Sequence, residues 1–290
     1  NVNANPWTPG WFEDETIPVD EASMGAKLRQ SITNPPNSDP WVHKKFDFDK
    51  YRGPGQAMAL RSILHMPMDK TLLVILPTGE GKSLLYQALA VQESYKTIAV
   101  VVPTVALAYD QSNSIPNIDK LKPNNQHAYI GGADNVNSSI DESIPTGEQG
   151  LLFAAPESFV GSLRNPLVKA AKNGNLGAVV VDEAHLVYAW GSDFRSDYQK
   201  LAALISELRS KAPEGKNPKI ICLSATVDTE SLETLNSLFS YGEESISIIS
   251  SARLRPELDI WVTPPVNSEE RKNRVLEALR YLPRPAILYV

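Results

Sequence analysis

LPTGEGKS at residues 76–83 is the stretch that decides the fold, because it separates an apolar run from a helical pattern. Residues 72–76 are all apolar and predict a short, buried parallel strand. The strand breaks at 77–79, and Gly81 opens a predicted helix over 82–93. Glycines let the backbone turn tightly, so that successive N–H groups point at one anion, and the helix N-terminus adds partial positive charge. The stretch therefore predicts a phosphate-binding loop.

Side chains within this loop suit a nucleotide bound with a metal ion. Lys82 is expected to reach the β- and γ-phosphates, and the Ser83 hydroxyl is expected to ligate Mg²⁺. The alternative is a glycine-rich turn that carries a surface lysine. We expect ATP to be held by the loop residues Pro77, Thr78, Gly79, Glu80, Gly81, Lys82 and Ser83.

An acidic motif follows a second predicted buried strand, at 177–181. Carboxylates at the carboxyl ends of strands in an open parallel sheet lie where ligands bind. Asp182 is then placed to hold Mg²⁺, and Glu183 is placed to orient or deprotonate the attacking water. An exposed acidic turn is the alternative, but the three valines before it predict burial on both faces of the strand.

A third apolar run, at 220–223, ends in Ser224-Ala225-Thr226. We expect the hydroxyls of Ser224 and Thr226 to bond His185, which would link the nucleotide site to a nucleic-acid site. The tripeptide is common, so its position after a strand is what gives it meaning.

The order of these three strings resembles the core of superfamily 2 helicases. A strict phosphate-loop motif would carry glycine where Leu76 stands, and this superfamily commonly relaxes that position. The resemblance implies an α/β fold, a RecA-like three-layer α/β/α parallel sheet of the P-loop NTPase type. It also implies the catalytic set Lys82, Asp182, Glu183 and His185, with Ser83 and Asp182 as Mg²⁺ ligands.

Segments flanking these strings narrow the resemblance to the RecQ family. YRGPGQ at 51–56 is similar to the family's first motif, F-R-P-G-Q, with one residue inserted or shifted. By that likeness the Gln56 amide reads the adenine edge, and Arg52 with Phe48 or Tyr51 stacks on the base. A loop followed by an amphipathic helix over 56–65 is the alternative.

VVPTVALAYDQ at 101–111 and AAPES at 154–158 resemble two further family motifs, although Ser158 stands where arginine is usual. Both follow predicted strands, so both are expected on the same sheet edge as the phosphate loop. Backbone N–H groups and small hydroxyls suit phosphate contacts that follow a strand without reading its sequence. On this basis Thr104 and Gln111 are candidate nucleic-acid contacts.

AWGSDFRSDY at 189–198 resembles the aromatic-rich loop of RecQ proteins, W-G-H-D-F-R-P-x-Y, with serine at 192 and 196 instead of histidine and proline. An aromatic loop beside a catalytic carboxylate can stack on an unpaired base. The resemblance makes Trp190, Phe194 and Arg195 nucleic-acid-sensing residues. The alternative is that Trp190 and Phe194 are core residues.

Composition sets limits on these interpretations. The 290 residues carry a net charge of −6 with a pI near 5.4, which argues against binding driven by a strongly basic surface but leaves room for a local groove. Cys222 is the single cysteine and is expected to be inert core, so neither an internal disulfide nor a cysteine-rich zinc site is expected. No apolar run approaches 18 residues, so no membrane span is expected.

Segment composition predicts three parts, covering 1–45, 46–263 and 264–290. The first is a Pro- and Trp-containing extension, available for a protein partner. The second is the RecA-like ATP-binding lobe, with a surface loop at 131–147 and strands at 71–76, 97–102, 126–130, 149–154, 177–181, 219–223 and 245–249. The third is a linker with a helix over 269–281, leading to a strand at 286–290 that starts a second lobe.

Three functions fit the sequence. The first is a RecQ-like, ATP-dependent DNA helicase or translocase acting on single-stranded or tailed DNA, in the cytoplasm or, in a prokaryote, at the nucleoid. The second is a superfamily 2 motor on RNA or duplex, and the third is a non-catalytic, ATP-gated nucleic-acid-binding switch. The aromatic loop favours the first over the second, and Glu183 disfavours the third. Because the family places its arginine fingers in the second lobe, we expect slow hydrolysis by these 290 residues alone.

Overall fold

The computed structural model describes residues 35–68, 70–116, 121, 127–131, 133–189, 192–242, 245–251, 267–281 and 288, with the side chains of 188–195 outside that description. The larger of two compact units is Asn34–Arg253, and the other contains the helix Ser268–Tyr281. That helix agrees with the predicted 269–281, whereas the predicted strand at 286–290 lies outside the described residues except for position 288.

The described residues of the larger unit form a six-stranded parallel sheet in the order β3-β2-β4-β5-β1-β6. Every residue of β1 to β5 is buried, as expected for strands rich in Val, Ile and Leu that are covered on both faces. The edge strand β6 is mostly exposed. The strands are β1 (Thr71–Ile75), β2 (Thr97–Val101), β3 (Leu151–Ala154), β4 (Leu176–Val181), β5 (Lys219–Ser224) and β6 (Ser247–Ser250).

Helices follow the strands and cover the sheet on both faces. In chain order they are α1 (Pro40–Phe46), α2 (Pro54–His65), α3 (Ser83–Gln92), α4 (Val105–Asn113), α5 (Asp134–Ser143), α6 (Pro156–Val160), α7 (Arg164–Asn173), α8 (Leu186–Ala189), α9 (Ser192–Lys211), α10 (Thr229–Phe239) and, in the other unit, α11 (Ser268–Tyr281).

Two hydrophobic cores lie on opposite faces of the sheet. Alternate strand residues point to opposite faces, so Leu73 belongs to one core and Leu72 and Val74 belong to the other. The first core contains residues of α5 to α10, and the second contains residues of α1 to α4. This arrangement confirms the predicted three-layer α/β/α sheet.

Two predicted elements are wrong. The strand expected at 126–130 is reduced, within the described residues, to a single bridge between Ala128 and Phe153. The surface loop expected at 131–147 contains α5, because Ile140 is fully buried and the Asn137 amide bonds the backbone of Ile130. A helix with few apolar residues can pack through one such narrow buried face, and the polar composition of 131–147 did not reveal that face.

At its N-terminal side the larger unit starts at Asn34, about a dozen residues before the predicted boundary. Val42 and Phe46 of α1 are buried in the same core as α2 and α3, so this part of the predicted extension belongs to the lobe. No helix of the described residues is both long and apolar enough to cross a membrane.

Candidate nucleotide site

Three loops meet at the carboxyl edge of the sheet because their strands pair in register. The Leu76 N–H, after β1, donates to the Ser224 carbonyl at the end of β5 (3.0 Å). The Ala184 N–H, after β4, donates to the carbonyl of Leu223 (2.8 Å). The phosphate loop, the acidic motif and the Ser-Ala-Thr segment are therefore neighbours, as their positions after strands predicted.

Glycine is required twice in the phosphate loop. Gly79 and Gly81 have φ of +86° and +76°, a region that other residues rarely adopt. A side chain at the second of these positions would also displace the Gln56 amide, because a Cβ atom on Gly81 would lie 2.3 Å from Nε2 of Gln56. The loop is thus held open by backbone geometry and by close contact with α2.

Arg52 and Gln56 brace this loop. Nη1 of Arg52 donates to the Gly79 carbonyl (2.7 Å), and Nε2 of Gln56 donates to the Gly81 carbonyl (3.2 Å). Oε1 of Gln56 accepts from the Arg52 N–H (2.8 Å), and the side chain is buried. In this structure both ends of the Gln56 amide are engaged within the protein, so its predicted contact with an adenine stays a prediction.

Phe48 and Tyr51, the two alternatives for an aromatic that stacks on the base with Arg52, differ in exposure. The Tyr51 ring is buried, its hydroxyl donates to Asp39 (2.7 Å), and the Arg61 guanidinium lies 5.9 Å from its ring centroid. Phe48 is 44% exposed and stacks on Phe46, with ring centroids 6.1 Å apart. Phe48 is the aromatic that retains a free surface.

A cavity of about 290 Å³ opens between the phosphate loop and the acidic motif. Nζ of Lys82 is buried at this cavity and has no hydrogen-bond partner among the described residues. The Glu183 carboxylate, 3.5 Å away, compensates the charge of this ammonium but leaves its N–H groups without a hydrogen bond, and phosphate oxygens would accept from them. The site therefore fits a nucleotide phosphate.

The predicted residues that line the cavity are Arg52, Thr78, Gly79, Gly81, Lys82, Ser83, Gln111, Asp182 and Glu183. The predicted residues outside its lining are Gln56, Pro77, Glu80, Thr104, His185, Ser224 and Thr226.

Glu183 occupies the opposite wall in a strained backbone conformation, with φ of +49°. Its two carboxylate oxygens face different partners: Oε1 lies 3.5 Å from Nζ of Lys82, and Oε2 lies 3.5 Å from Nδ1 of His185. The turn after β4 thus aims this carboxylate into the cavity and holds it between two nitrogen groups.

Asp182 directly follows β4 and adjoins Glu183 in the cavity lining. Burial, with repulsion from the Glu183 carboxylate, raises the pKa of Asp182 from 3.8 to about 6, against the opposing effect of Lys82. A carboxylate that is destabilised in this way gains from a cation. Mg²⁺ in nucleotide sites uses one or two protein ligands with phosphates and waters, so Ser83 and Asp182 form a suitable set.

His185 connects the acidic motif to the segment after β5. The Ser224 hydroxyl donates its one hydrogen to the Thr226 carbonyl (2.6 Å), so it accepts from Nδ1 of His185 (3.0 Å). This arrangement places the proton on Nδ1. The expected bond from Ser224 to His185 is present, but the expected hydroxyl bond from Thr226 is wrong, because Thr226 contributes its backbone carbonyl.

The two candidate contacts on α4 are separated. The Thr104 hydroxyl caps the helix by accepting from the Leu107 N–H (3.3 Å). Gln111 lines the nucleotide cavity, where it accepts from the Tyr86 hydroxyl (2.6 Å). Sequence reasoning missed Tyr86, which also lines the cavity. Its spacing of three residues from Ser83 on a helix was the available signal.

The side chains of Trp190, Phe194 and Arg195 lie outside the described residues. Within this stretch the structure describes the helical backbone at 189 and 192–198 and the side chains of 196–198, of which Tyr198 is buried. The role of the three residues stays a prediction.

Fold and site together define a P-loop nucleotide-binding lobe of the RecA-like class. The DEAD/DEAH box helicase family model matches residues 53–235. Because this match covers more than half of the chain, the chain belongs to the DEAD/DEAH box helicase family.

Named relatives confirm the RecQ likeness. The chain is 35% identical over 169 residues to ATP-dependent DNA helicase Q5 of Rattus norvegicus, which covers 58% of the chain and 17% of that protein. It is 27% identical over 249 residues to the probable ATP-dependent DNA helicase RecS of Bacillus subtilis, covering 86% and 46%. The chain thus spans less than half of these relatives.

Among solved structures, the DUF1998 helicase MrfA bound to DNA has the same fold, with a TM-score of 0.55 at 19% identity over 74% of this chain and 30% of that one.

Proposed function

We propose that this chain is the first motor lobe of a RecQ-like, ATP-dependent DNA helicase or translocase, which binds ATP–Mg²⁺ and single-stranded DNA and couples hydrolysis to translocation or strand separation. The observation that carries the proposal is the buried Lys82 ammonium, which has no hydrogen-bond partner among the described residues and lies 3.5 Å from the Glu183 carboxylate in the same cavity. A phosphate-binding site that only stored a nucleotide would not need a carboxylate at that position.

Each residue of the site has a part in this proposal. Lys82 and the loop N–H groups would hold the phosphates, and Ser83 and Asp182 would hold Mg²⁺, which supplies charge neutralisation when it is bound. Glu183 would accept a proton from the attacking water, and its fixed position between Lys82 and His185 limits its freedom to turn away. Ser224, which is hydrogen-bonded to both His185 and the Thr226 carbonyl, would couple a movement of His185 to the segment after β5.

The test is to measure ATP hydrolysis by the complete protein that carries this chain, alone and with single-stranded DNA, RNA or blunt duplex DNA. A tailed duplex serves to measure unwinding. Stimulation by single-stranded DNA with unwinding of the tailed duplex supports the proposal, and Lys82→Ala is the control for contaminating ATPases. Preferential stimulation by RNA or by blunt duplex without unwinding would instead favour a translocase on those substrates. Binding of ATP with no hydrolysis under any condition would favour a switch.

A further inference from the structure

Tyr86 is a buried polar residue in the wall of the nucleotide cavity to which the proposed function gives no part. It lies on α3, is 1% exposed, and its ring packs edge-on against Phe153 with centroids 5.6 Å apart. Its hydroxyl donates a 2.6 Å hydrogen bond to Oε1 of Gln111 on α4. Both residues line the cavity, so a single bond in its wall joins two helices.

On the nucleotide side, Tyr86 lines the same cavity as both candidate metal ligands, Ser83 and Asp182. Ser83 and Tyr86 are three residues apart on α3 and therefore lie on one helix face. Burial and the Asp182 carboxylate raise the pKa of Tyr86 above its usual range, while the Ser83 hydroxyl acts in the opposite direction. Tyr86 therefore shares a helix face with Ser83 and a cavity wall with Asp182, the two groups proposed to hold Mg²⁺.

On the other side, Gln111 belongs to a helix that begins at a candidate nucleic-acid contact. Thr104 is the N-cap of α4, and Gln111 follows it by seven residues, or two helical turns. The two positions share a helix face and are separated by about 10 Å along the axis. A short helix moves as a unit, so a displacement at one position moves the other.

We infer that Tyr86 and Gln111 are a positioning pair, which ties the metal side of the nucleotide cavity to α4 and thereby couples nucleotide occupancy to strand binding. This inference rests on the proposed function, because it names the link between the two ligands of that function. Neither residue is given a catalytic part. The pair acts through Ser83 and Asp182 on one side and through α4 on the other.

A structural role alone would have a different signature. A buried phenol needs an acceptor in any case, so loss of the bond lowers stability whether or not it transmits anything. Only a positioning role predicts that the bond changes the ratio between strand affinity with nucleotide and strand affinity without it. That ratio is a coupling factor, and it is independent of how tightly each ligand binds by itself.

The experiment measures the dissociation constant of a fluorescent oligo-dT for the complete protein, with and without Mg²⁺ and a non-hydrolysable ATP analogue. The coupling factor of the unmodified protein should lie at about 5–150-fold. Tyr86→Phe removes the donor and keeps the ring, and Gln111→Met removes the acceptor at similar volume. Both should reduce the factor at least about fivefold, toward 1. Gln111→Glu keeps an acceptor and should retain it.

Tyr129→Phe is the matched control, since Tyr129 is also buried, at 5% exposure, and lies outside the cavity lining. A retained coupling factor in either Tyr86→Phe or Gln111→Met overturns the inference, as does an equal loss in Tyr129→Phe. If Tyr86→Phe fails to fold, Gln111→Met at its half-buried position decides. An unmodified protein without coupling also overturns the inference, whereas the proposed function itself is judged by DNA-stimulated hydrolysis.

Discussion

The nucleotide cavity has two walls, the phosphate loop with Lys82 and the acidic motif with Asp182 and Glu183. The walls differ in whether their charged groups already have hydrogen-bond partners. The phosphate-loop wall leaves the Lys82 ammonium buried without a hydrogen bond to any described residue, although the Glu183 carboxylate lies 3.5 Å away. The acidic wall is internally connected: Glu183 faces His185, and His185 donates to Ser224. This difference suggests that the two walls have different tasks. The N–H groups of Lys82 that lack an acceptor would be satisfied by a bound ligand, which suits binding. The Glu183 carboxylate is already oriented by its neighbours before a ligand binds, which suits catalysis.

Glu183→Gln is the variant that should break this division most sharply. The amide keeps the shape and loses the base, so DNA-stimulated kcat should fall by about 10²–10⁴-fold. The dissociation constant of ATP–Mg²⁺ should stay within a few-fold, because this side chain is not on the phosphate-holding wall. Steady-state hydrolysis and a nucleotide titration give both values. A parallel loss of nucleotide binding would contradict the assignment, and Glu148→Gln, at an exposed position, is the control.

Lys82→Ala tests the other wall and should show the reverse pattern. Loss of a charge-assisted contact to phosphate costs about 1.5–3 kcal/mol, so ATP–Mg²⁺ affinity should fall by about 10–150-fold. The measurement is a titration with a fluorescent ATP analogue. Lys172→Ala removes an exposed lysine on α7 and should leave affinity unchanged. Unaltered nucleotide affinity in Lys82→Ala would mean that the Lys82 ammonium does not contact a phosphate of the bound nucleotide.

The sequence predicted these walls well because each is local. A glycine-rich turn or an acidic pair directly after an apolar run acquires its place from the end of its own strand. Interactions between helices were not predictable in this way. Two such interactions are the hydrogen bond from Tyr86 to Gln111 and the one from Gln56 to the Gly81 carbonyl. Both depend on how α2, α3 and α4 pack, whereas the sequence pattern shows only which face of each helix is apolar.

Trp190→Ala tests a residue whose role is predicted from the sequence alone, since Trp190 lies outside the described residues. If Trp190 senses a bound strand, its removal should leave basal hydrolysis and ATP affinity nearly intact and abolish stimulation by single-stranded DNA. Stacking is worth about 1–3 kcal/mol per base, so DNA affinity should fall about tenfold. A DNA-titrated ATPase assay beside a thermal melt measures these effects, and Phe194→Ala should behave alike.

The alternative for Trp190 has a distinct result. Truncation of a buried aromatic costs about 3–5 kcal/mol, so a core role predicts a lower melting temperature and the joint loss of all activities. A stable Trp190→Ala protein with undiminished DNA stimulation would remove the sensing role.

Asp182→Asn tests the acidic wall through folding stability instead of ligand affinity. The folded-state pKa of about 6 exceeds the reference value of 3.8, so the folded protein binds more protons than the unfolded chain between about pH 4 and 6. The free energy of unfolding therefore falls as pH rises through that window, and at pH 7 the ionised carboxylate is a net cost of up to about 3 kcal/mol. The neutral amide should raise the melting temperature at pH 7 by several degrees, at about 2–4 °C per kcal/mol, and should abolish Mg²⁺-dependent hydrolysis.

Asp39→Asn is the matched control because its sign is opposite. Its hydrogen bond and ion pair with Arg61 hold the pKa of Asp39 below its usual value, so its contribution is present near neutral pH and is lost on acidification. This variant should be less stable at pH 7, not more. If Asp182→Asn were also destabilising, with an unchanged pH profile between 4 and 6, the acidic wall would not carry the electrostatic strain that a bound cation is proposed to relieve.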